Sequence, residues 1–341
     1  MTVLVNARAA MRPELGGVER WARELSVRLP SLDPARYAVV QPPAALAHGA
    51  GHAWEQGVLP LRARRAQLLL NPANLAPVAF PRNLVVIHDA AALREPAWYS
   101  RAYVAWQRRV LPRIARGAVR VVTPSAFARA ELVELLGVDP ARVVVIPGGV
   151  DARFSPGADA RSARVALGLD RPYVLAVASR TARKNLAALD VAARRLARQG
   201  VEVVVAGGNR PQFREGRPPP LRALGHVPDA LLPGVYAGAE AFVLPSRHEG
   251  FGLTAVEAMA SGTPVVAARA GALPETCADA ARYADPGAPE AIADALEAAL
   301  GDERLAAAGL ERAAAFTWER TVRELDELVR MLLSARGARG R

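Results

Sequence analysis

The sequence predicts an α/β protein made of two parallel-sheet domains. Three observations carry this. Short valine-rich runs alternate with Ala/Leu/Arg segments of helical period, the alternation breaks once near the middle, and 341 residues amount to about two ordinary domains. Continuous apolar strands between helices mark sheets covered on both faces.

The first series of expected strands covers residues 2–6, 37–41, 84–88, 119–123 and 143–146. The second covers 173–178, 201–206, 241–244 and 265–268. Helical periodicity falls between them, at 17–29, 126–136, 186–198, 254–260 and 290–300, and an amphipathic terminal helix is expected over 316–333. The series breaks at PGGVDARFSPG, residues 147–157, where turn-formers cluster and the domain boundary is placed. Two such domains predict a cleft between them. Ligands of parallel sheets bind beyond the carboxyl ends of the strands, so the residues just after each strand deserve scrutiny. REGRPPPLRALG reads as a connective loop.

Composition narrows the function classes. Hydrophobic residues make up 51% and charged residues 23%, which is globular rather than disordered. The net charge of +11 favours an anionic partner: a nucleotide, a nucleic acid or an acidic membrane. Scattered arginines and the lack of a recognisable RNA or DNA module argue against nucleic acid. One cysteine, Cys277, permits neither an internal disulfide nor a thiolate metal site, which suits a reducing cytoplasm. The amino terminus lacks the pattern of a signal peptide, and no apolar run approaches the ~20 residues that span a bilayer.

The motif richest in chemistry is PSRHEGFGLTAVEAMASGTPVV, from Pro245. Gly250 and Gly252 allow a ligand close to the backbone, and the start of the following helix offers amides to anionic oxygens. Glu249 and Glu257 bracket this turn with seven residues between them. Carboxylates only accept hydrogen bonds, so they suit sugar or ribose hydroxyls. A competing reading makes Thr254 and Glu257 a capping box at the helix start. A second motif, SRTARKNL, follows the strand 173–178, where Arg180, Arg183 and Lys184 are placed to clamp a diphosphate; the alternative is a solvated basic helix start. His88 and Asp89 end the strand 84–88, and Gly16–Gly17 open a helix. Over 98–116, Tyr99, Tyr103, Trp106 and Val110 recur at helical steps among Arg101, Arg108, Arg109, Arg113 and Arg116. That pattern fits a core-packed aromatic stripe better than a membrane-surface helix, and Pro112 should kink or end it. No DxD pair or HExxH is present, so no catalytic metal or other cofactor is indicated.

Taken in order, GGVERW, HDAAALREPAWYS, VTPSAFARAEL, VIPGGVD, RKNL, ALGHVPDALLPGVYAGAEAFVLPS and the EGFG…E block resemble the retaining glycosyltransferases of the large fourth family, mannosyltransferase-like group. The resemblance covers nearly the whole chain. It implies the GT-B fold: two Rossmann-like domains, 1–152 on the acceptor side and 153–317 for the nucleotide sugar, facing across a cleft, with 318–341 crossing back to the first. It implies a nucleotide-diphosphate sugar as co-substrate, GDP-mannose or a UDP-sugar, and a glycan or lipid-linked acceptor. Glu257 would bind the ribose hydroxyls, Glu249 the donor sugar and Lys184 the diphosphate, while Phe251 and Leu253 contact the donor and Val227 the base. His88 would stand near the reacting sugar, Asp89 would orient it or meet the acceptor, and Arg20 would face the acceptor. Many relatives carry an arginine where this chain has Ser179, so Arg180 and Arg183 both stand for the diphosphate arginine. The rival readings are a phosphorylase or epimerase of the same shape, and a basic nucleic-acid-binding protein. The expected location is the cytoplasm, with peripheral contact to the inner face of an acidic membrane as an open possibility.

Overall fold

The structure, a computed structural model, describes residues 3–12, 16–47, 51–208 and 221–339. The chain divides into two compact units: Met1–Arg94 with Val104–Gly148 and Trp318–Arg341, and Glu95–Tyr103 with Gly149–Thr317.

The first unit contains β1 (Val3–Asn6), β2 (Tyr37–Val40), β3 (Leu68–Asn71), β4 (Asn83–Val86), β5 (Arg120–Thr123) and β6 (Val143–Val145). They form one sheet in the order β2-β1-β3-β4-β5-β6, with every pair parallel. Alternation along β4 sorts the two faces, since successive side chains of a strand point opposite ways. Leu84 and Val86 join Trp21, Leu25, Leu29, Trp318 and Leu325 under the helices Gly17–Leu32 and Trp318–Arg339. Val85 and Ile87 join Leu111, Ile114 and Leu132 under Arg101–Gly117 and Ala126–Leu136. Each fully buried leucine contributes roughly 1.5–3 kcal/mol. Asp326 anchors the last helix, accepting from Tyr37 Oη and an Arg36 nitrogen at 2.7 Å each.

The second unit contains β7 (Tyr173–Val177), β8 (Glu202–Ala206), β9 (Arg222–Gly225), β10 (Ala241–Leu244), β11 (Val265–Ala268) and β12 (Arg282–Ala284). Their order is β12-β11-β10-β7-β8-β9, again all parallel. Val204 and Ala206 face one core cluster, Val203 and Val205 the other.

Nine expected strands are present, with shifted ends in most. β3, β9 and β12 were not anticipated. Leu68–Leu69–Leu70 lacks the β-branched residues that flag a strand, although all three side chains are fully buried. β9 and β12 are edge strands with exposed residues. Arg222–Gly225 lies inside the segment expected to be connective; residues 214–220 of that segment and Thr2 of the first expected strand fall outside the described residues. The expected helix 186–198 is a 3-10 turn, Leu186–Leu189, followed by an α-helix, Asp190–Arg198. Pro112 does not end its helix, which runs through to Gly117. The carbonyl that loses its donor belongs to Arg108, an exposed residue where water can replace the bond.

Candidate active site

In the second unit β7 and β10 are neighbours, so the segments that follow them meet at the carboxyl edge of the sheet. Lys184 Nζ lies 2.6 Å from Glu249 Oε1, and an Arg183 guanidinium nitrogen lies 3.3 Å from Oε2. The same Arg183 nitrogen donates to the His248 carbonyl at 3.0 Å, and the Arg247 amide donates to the Arg183 carbonyl at 2.9 Å. Asn185 makes this turn possible. Its φ is +53°, a left-handed conformation that asparagine tolerates better than most residues. Its side-chain amide donates to the carbonyls of Pro245, at 3.0 Å, and Pro286, at 2.7 Å.

Burial opposes the charge on Glu249, but the Lys184 ammonium and the Arg183 guanidinium outweigh it and hold the pKa at about 2. Two cations on one carboxylate leave this cluster with one net positive charge.

Two glycines shape the turn. Gly252 has φ +98°, and a Cβ there would lie 2.6 Å from Leu273 Cδ2. Gly271 has φ +59°, and its Cβ would strike the Glu249 backbone nitrogen at 2.6 Å and oxygen at 2.5 Å. Gly252 is the cap of the helix Leu253–Ala260 and offers it no side-chain hydrogen bond. The helix therefore starts without a side-chain cap, a position that favours negative charge.

Glu257 sits one turn into this helix, buried, and accepts a hydrogen bond from the Tyr236 hydroxyl at 2.9 Å. Thr254 is the second helical residue. The capping-box reading needs Thr254 at the cap position and does not hold. Phe251 is buried edge-on against Phe316, with ring centroids 5.5 Å apart. Leu253 and Val227 are buried in the same apolar cluster, Arg180 is half-buried, and Gly250 lies beside Glu249 in the turn.

In the first unit His88 lies two residues beyond the end of β4 rather than inside the strand. Its Nε2 is 3.0 Å from the Pro72 carbonyl, and its backbone amide donates to Asn74 Oδ1 at 2.7 Å. A carbonyl can only accept, so Nε2 carries the proton and Nδ1 the lone pair. Burial lowers the His88 pKa further than the Pro72 hydrogen bond and the nearby Asp89 charge raise it, so the ring is neutral. Trp21 packs edge-on against the imidazole at 5.3 Å and against Trp318 at 5.6 Å. Gly148 leaves room for this indole: a Cβ there would lie 2.7 Å from Trp21 Nε1.

Asp89 does not orient the imidazole through a hydrogen bond; its carboxylate accepts from the Ala91 amide at 3.1 Å, while Pro72 and Asn74 fix His88. The Gly16 amide is engaged by its own helix, donating to Glu19 at 3.1 Å, with Gly17 as the first helical residue. Arg20 is buried on that helix. Of the aromatic stripe, Tyr99 is buried and stacks on Tyr103, and Trp106 packs half-buried against apolar core. No helix among the described residues is long and apolar enough to cross a membrane.

Three residues of these centres escaped sequence reasoning. Tyr236 carried one signal, as a tyrosine in an otherwise apolar helix whose hydroxyl must find a partner when buried. Asn185, through its left-handed backbone and its side-chain amide, and Gly271, through its backbone, shape the turn, which only their residue types hint at.

Two family profiles match this chain. One, described as Glycosyltransferase Family 4, covers residues 15–154; the other, described as Glycosyl transferases group 1, covers 171–302. Together the two matches support a family 4-like glycosyltransferase. Its two six-stranded parallel sheets have the GT-B fold. This glycosyltransferase is 28% identical to the O-antigen chain mannosyltransferase B of Escherichia coli over 275 residues, 76% of this chain and 70% of that protein. It is 34% identical to the D-inositol 3-phosphate glycosyltransferase of Actinosynnema mirum over 244 residues, 61% of this chain and 56% of that protein. The chain thus spans little more than half the length of that relative. Among solved structures it resembles the sucrose-phosphate synthase of Thermosynechococcus elongatus, with a TM-score of 0.79 at 21% identity over 98% of this chain and all of that one. It also resembles HepE of Anabaena, solved with UDP and glucose, with a TM-score of 0.72 at 17% identity over 96% and 99% of the two chains.

Proposed function

We propose that this chain is a retaining, metal-independent hexosyltransferase. It takes a hexose from a nucleotide-diphosphate sugar, GDP-mannose or a UDP-sugar, and passes it to a glycan or lipid-linked acceptor in polysaccharide assembly. The observation that carries the reading is the second unit's cluster: an ionised Glu249 under Lys184 and Arg183, beside a glycine-capped helix that holds Glu257. The two family matches, the mannosyltransferase relative and the UDP-bound neighbour support it.

In this reading the net positive charge of the cluster and the amides of the helix start stabilise the departing diphosphate, the work a metal would otherwise do. Arg183 is the diphosphate arginine, since it shares the cluster with Lys184. Arg180 adds positive field. The backbone from Gly250 to Leu253 lies along the donor, Val227 presents its backbone to the base, and Glu257 accepts from the ribose hydroxyls while Tyr236 holds one of its oxygens. The anomeric carbon–oxygen bond to the diphosphate breaks as an acceptor hydroxyl attacks the same face, and the acceptor proton passes to a diphosphate oxygen. Configuration at the anomeric carbon is then retained. His88 is the proposed catalytic group of the first unit, a neutral imidazole whose Nδ1 is a hydrogen-bond acceptor. Gly16, Gly17, Arg20 and Asp89 line the proposed acceptor side. The proposed setting is the cytoplasm.

Nucleotide-dependent melting tests the donor assignment. UDP or GDP at ~100 times its dissociation constant should stabilise the chain by about 2.7 kcal/mol. Lys184→Ala should weaken that affinity about 100-fold, the scale of a charge-assisted contact. Nucleotide affinity unchanged by Lys184→Ala would remove the lysine from the site, and preference for an oligonucleotide would favour the nucleic-acid reading. Anomeric configuration of the product, read by NMR, tests retention.

A further inference from the structure

We propose that Arg8 binds an oxyanion carried by the acceptor, a phosphate ester or a sugar carboxylate, at the carboxyl edge of the first sheet. This deepens the acceptor-side reading of the first unit and rests on it. Arg8 follows β1 by two residues, and its side chain is only 6% exposed. Its Nε lies 3.2 Å from Glu55 Oε2, an ion pair without the alignment of a hydrogen bond. Among the described residues, neither terminal guanidinium nitrogen has a hydrogen-bond partner. Only Nε is both buried and without a partner, so the outer edge of the guanidinium faces solvent, and that edge presents two parallel N–H groups, the geometry that grips an oxyanion.

The surroundings hold the arginine in place. Asn6, the last residue of β1, donates to Glu55 Oε1 at 2.7 Å and to Asn71 Oδ1 at 3.1 Å. Asn71 donates in turn to Asn83 Oδ1 at 3.1 Å, and Asn83 donates to the carbonyls of Pro77 and Phe80. This chain of amides crosses β1, β3 and β4 and fixes the carboxylate that positions Arg8. Burial opposes the charge on Glu55, but His52, Arg8 and Asn6 together lower its pKa, so it stays ionised. Gly51 gives the arginine room, since a Cβ there would lie 3.1 Å from Arg8 Cδ. On β3 the network passes through Asn71, one residue before the Pro72 carbonyl that fixes His88. The imidazole and the guanidinium are thus referenced to the same strand end.

The test uses the full chain with UDP or GDP saturating, so that the lysine cluster of the second unit is already filled. Methyl phosphate, glucuronate and the neutral methyl glucoside are added separately and melting is followed. Wild type should gain stability from at least one anion and not from the glucoside; which anion acts separates the phosphate from the carboxylate source. The neutral pair Arg8→Gln/Glu55→Gln should lose at least 10-fold in anion affinity and keep its nucleotide affinity. If that pair does not fold, Arg8→Lys, which keeps the charge but loses the planar fork, should weaken the anion several-fold. An anion affinity unchanged in the variant that folds, or no response of wild type to either anion, overturns the proposal. Loss of the nucleotide response in wild type would instead sink the donor assignment.

Discussion

In the second unit Glu249 is buried yet ionised, pressed between two cations. In the first unit His88 is equally buried yet neutral, fixed by a proline carbonyl and wedged against tryptophan. Both occupy the carboxyl edge of a parallel sheet, so position in the fold does not separate them. Their neighbours do. A buried charge survives only when opposite charge or hydrogen bonds replace water, and the second unit supplies them from the turns after β7 and β10. At His88 burial outweighs the Pro72 hydrogen bond and the nearby Asp89 and Glu19 charges, and the ring loses its charge instead. The lesson is a division of labour: a charge-balanced centre suits a charged ligand, and a neutral imidazole suits hydrogen bonding to an uncharged sugar.

The largest way to break this contrast is Glu249→Gln. Two cations would remain with no carboxylate between them, and turnover should fall about a thousand-fold, the scale of a lost electrostatic group. Stability should respond to pH as well. The folded pKa is about 2 against an ordinary 4.5. The carboxylate therefore stabilises the fold fully above about pH 4.5, and that contribution, roughly 3 kcal/mol, fades as pH falls towards 2. Acid unfolding of the Gln variant should lack this part of the slope. A wild-type slope in the variant would show that Glu249 is not the group held ionised.

His88→Ala probes the other side of the contrast. Turnover should drop about 100-fold with nucleotide affinity unchanged, since the ring belongs to the other unit. The pKa of His88 is depressed by burial, so its contribution to stability is complete above the unfolded value near 6.5 and is lost as pH falls below it. The Ala variant should lose that dependence. A fall in nucleotide affinity comparable to the fall in turnover would move His88 from catalysis to donor binding.

The sequence made the two centres legible to different depths. Glu249, Lys184 and Arg183 were readable because charged side chains after apolar strands announce a ligand edge, although their mutual ion pairing was not. Pairing across 65 residues depends on β7 lying beside β10, and sheet order is not written in local periodicity. His88 was readable as a strand-end residue, but its neutrality was not, because Pro72 and Asn74 come from the segment after β3 and Trp21 from the helix after β1. β3 was missed because three leucines carry no strand signature. Family motifs placed Glu257 at the donor, whereas its hydroxyl partner Tyr236 lies 21 residues away on another helix.

That last pair gives the smallest and sharpest measurement. Glu257→Gln keeps an oxygen that can accept from Tyr236 while removing the charge and one acceptor. If the carboxylate serves ribose, nucleotide affinity should fall about 10-fold and the melting temperature should hardly move. Tyr236→Phe should do less, a few-fold in affinity, because it removes the group that orients the carboxylate and leaves the carboxylate itself. The buried carboxylate would then lack one donor, so this variant should also cost about 1 kcal/mol of stability. The two variants therefore separate along different axes: Gln on affinity, Phe on stability. Equal losses of stability from both, with no change in nucleotide affinity, would make the Tyr236–Glu257 bond a helix-packing contact rather than part of a donor site.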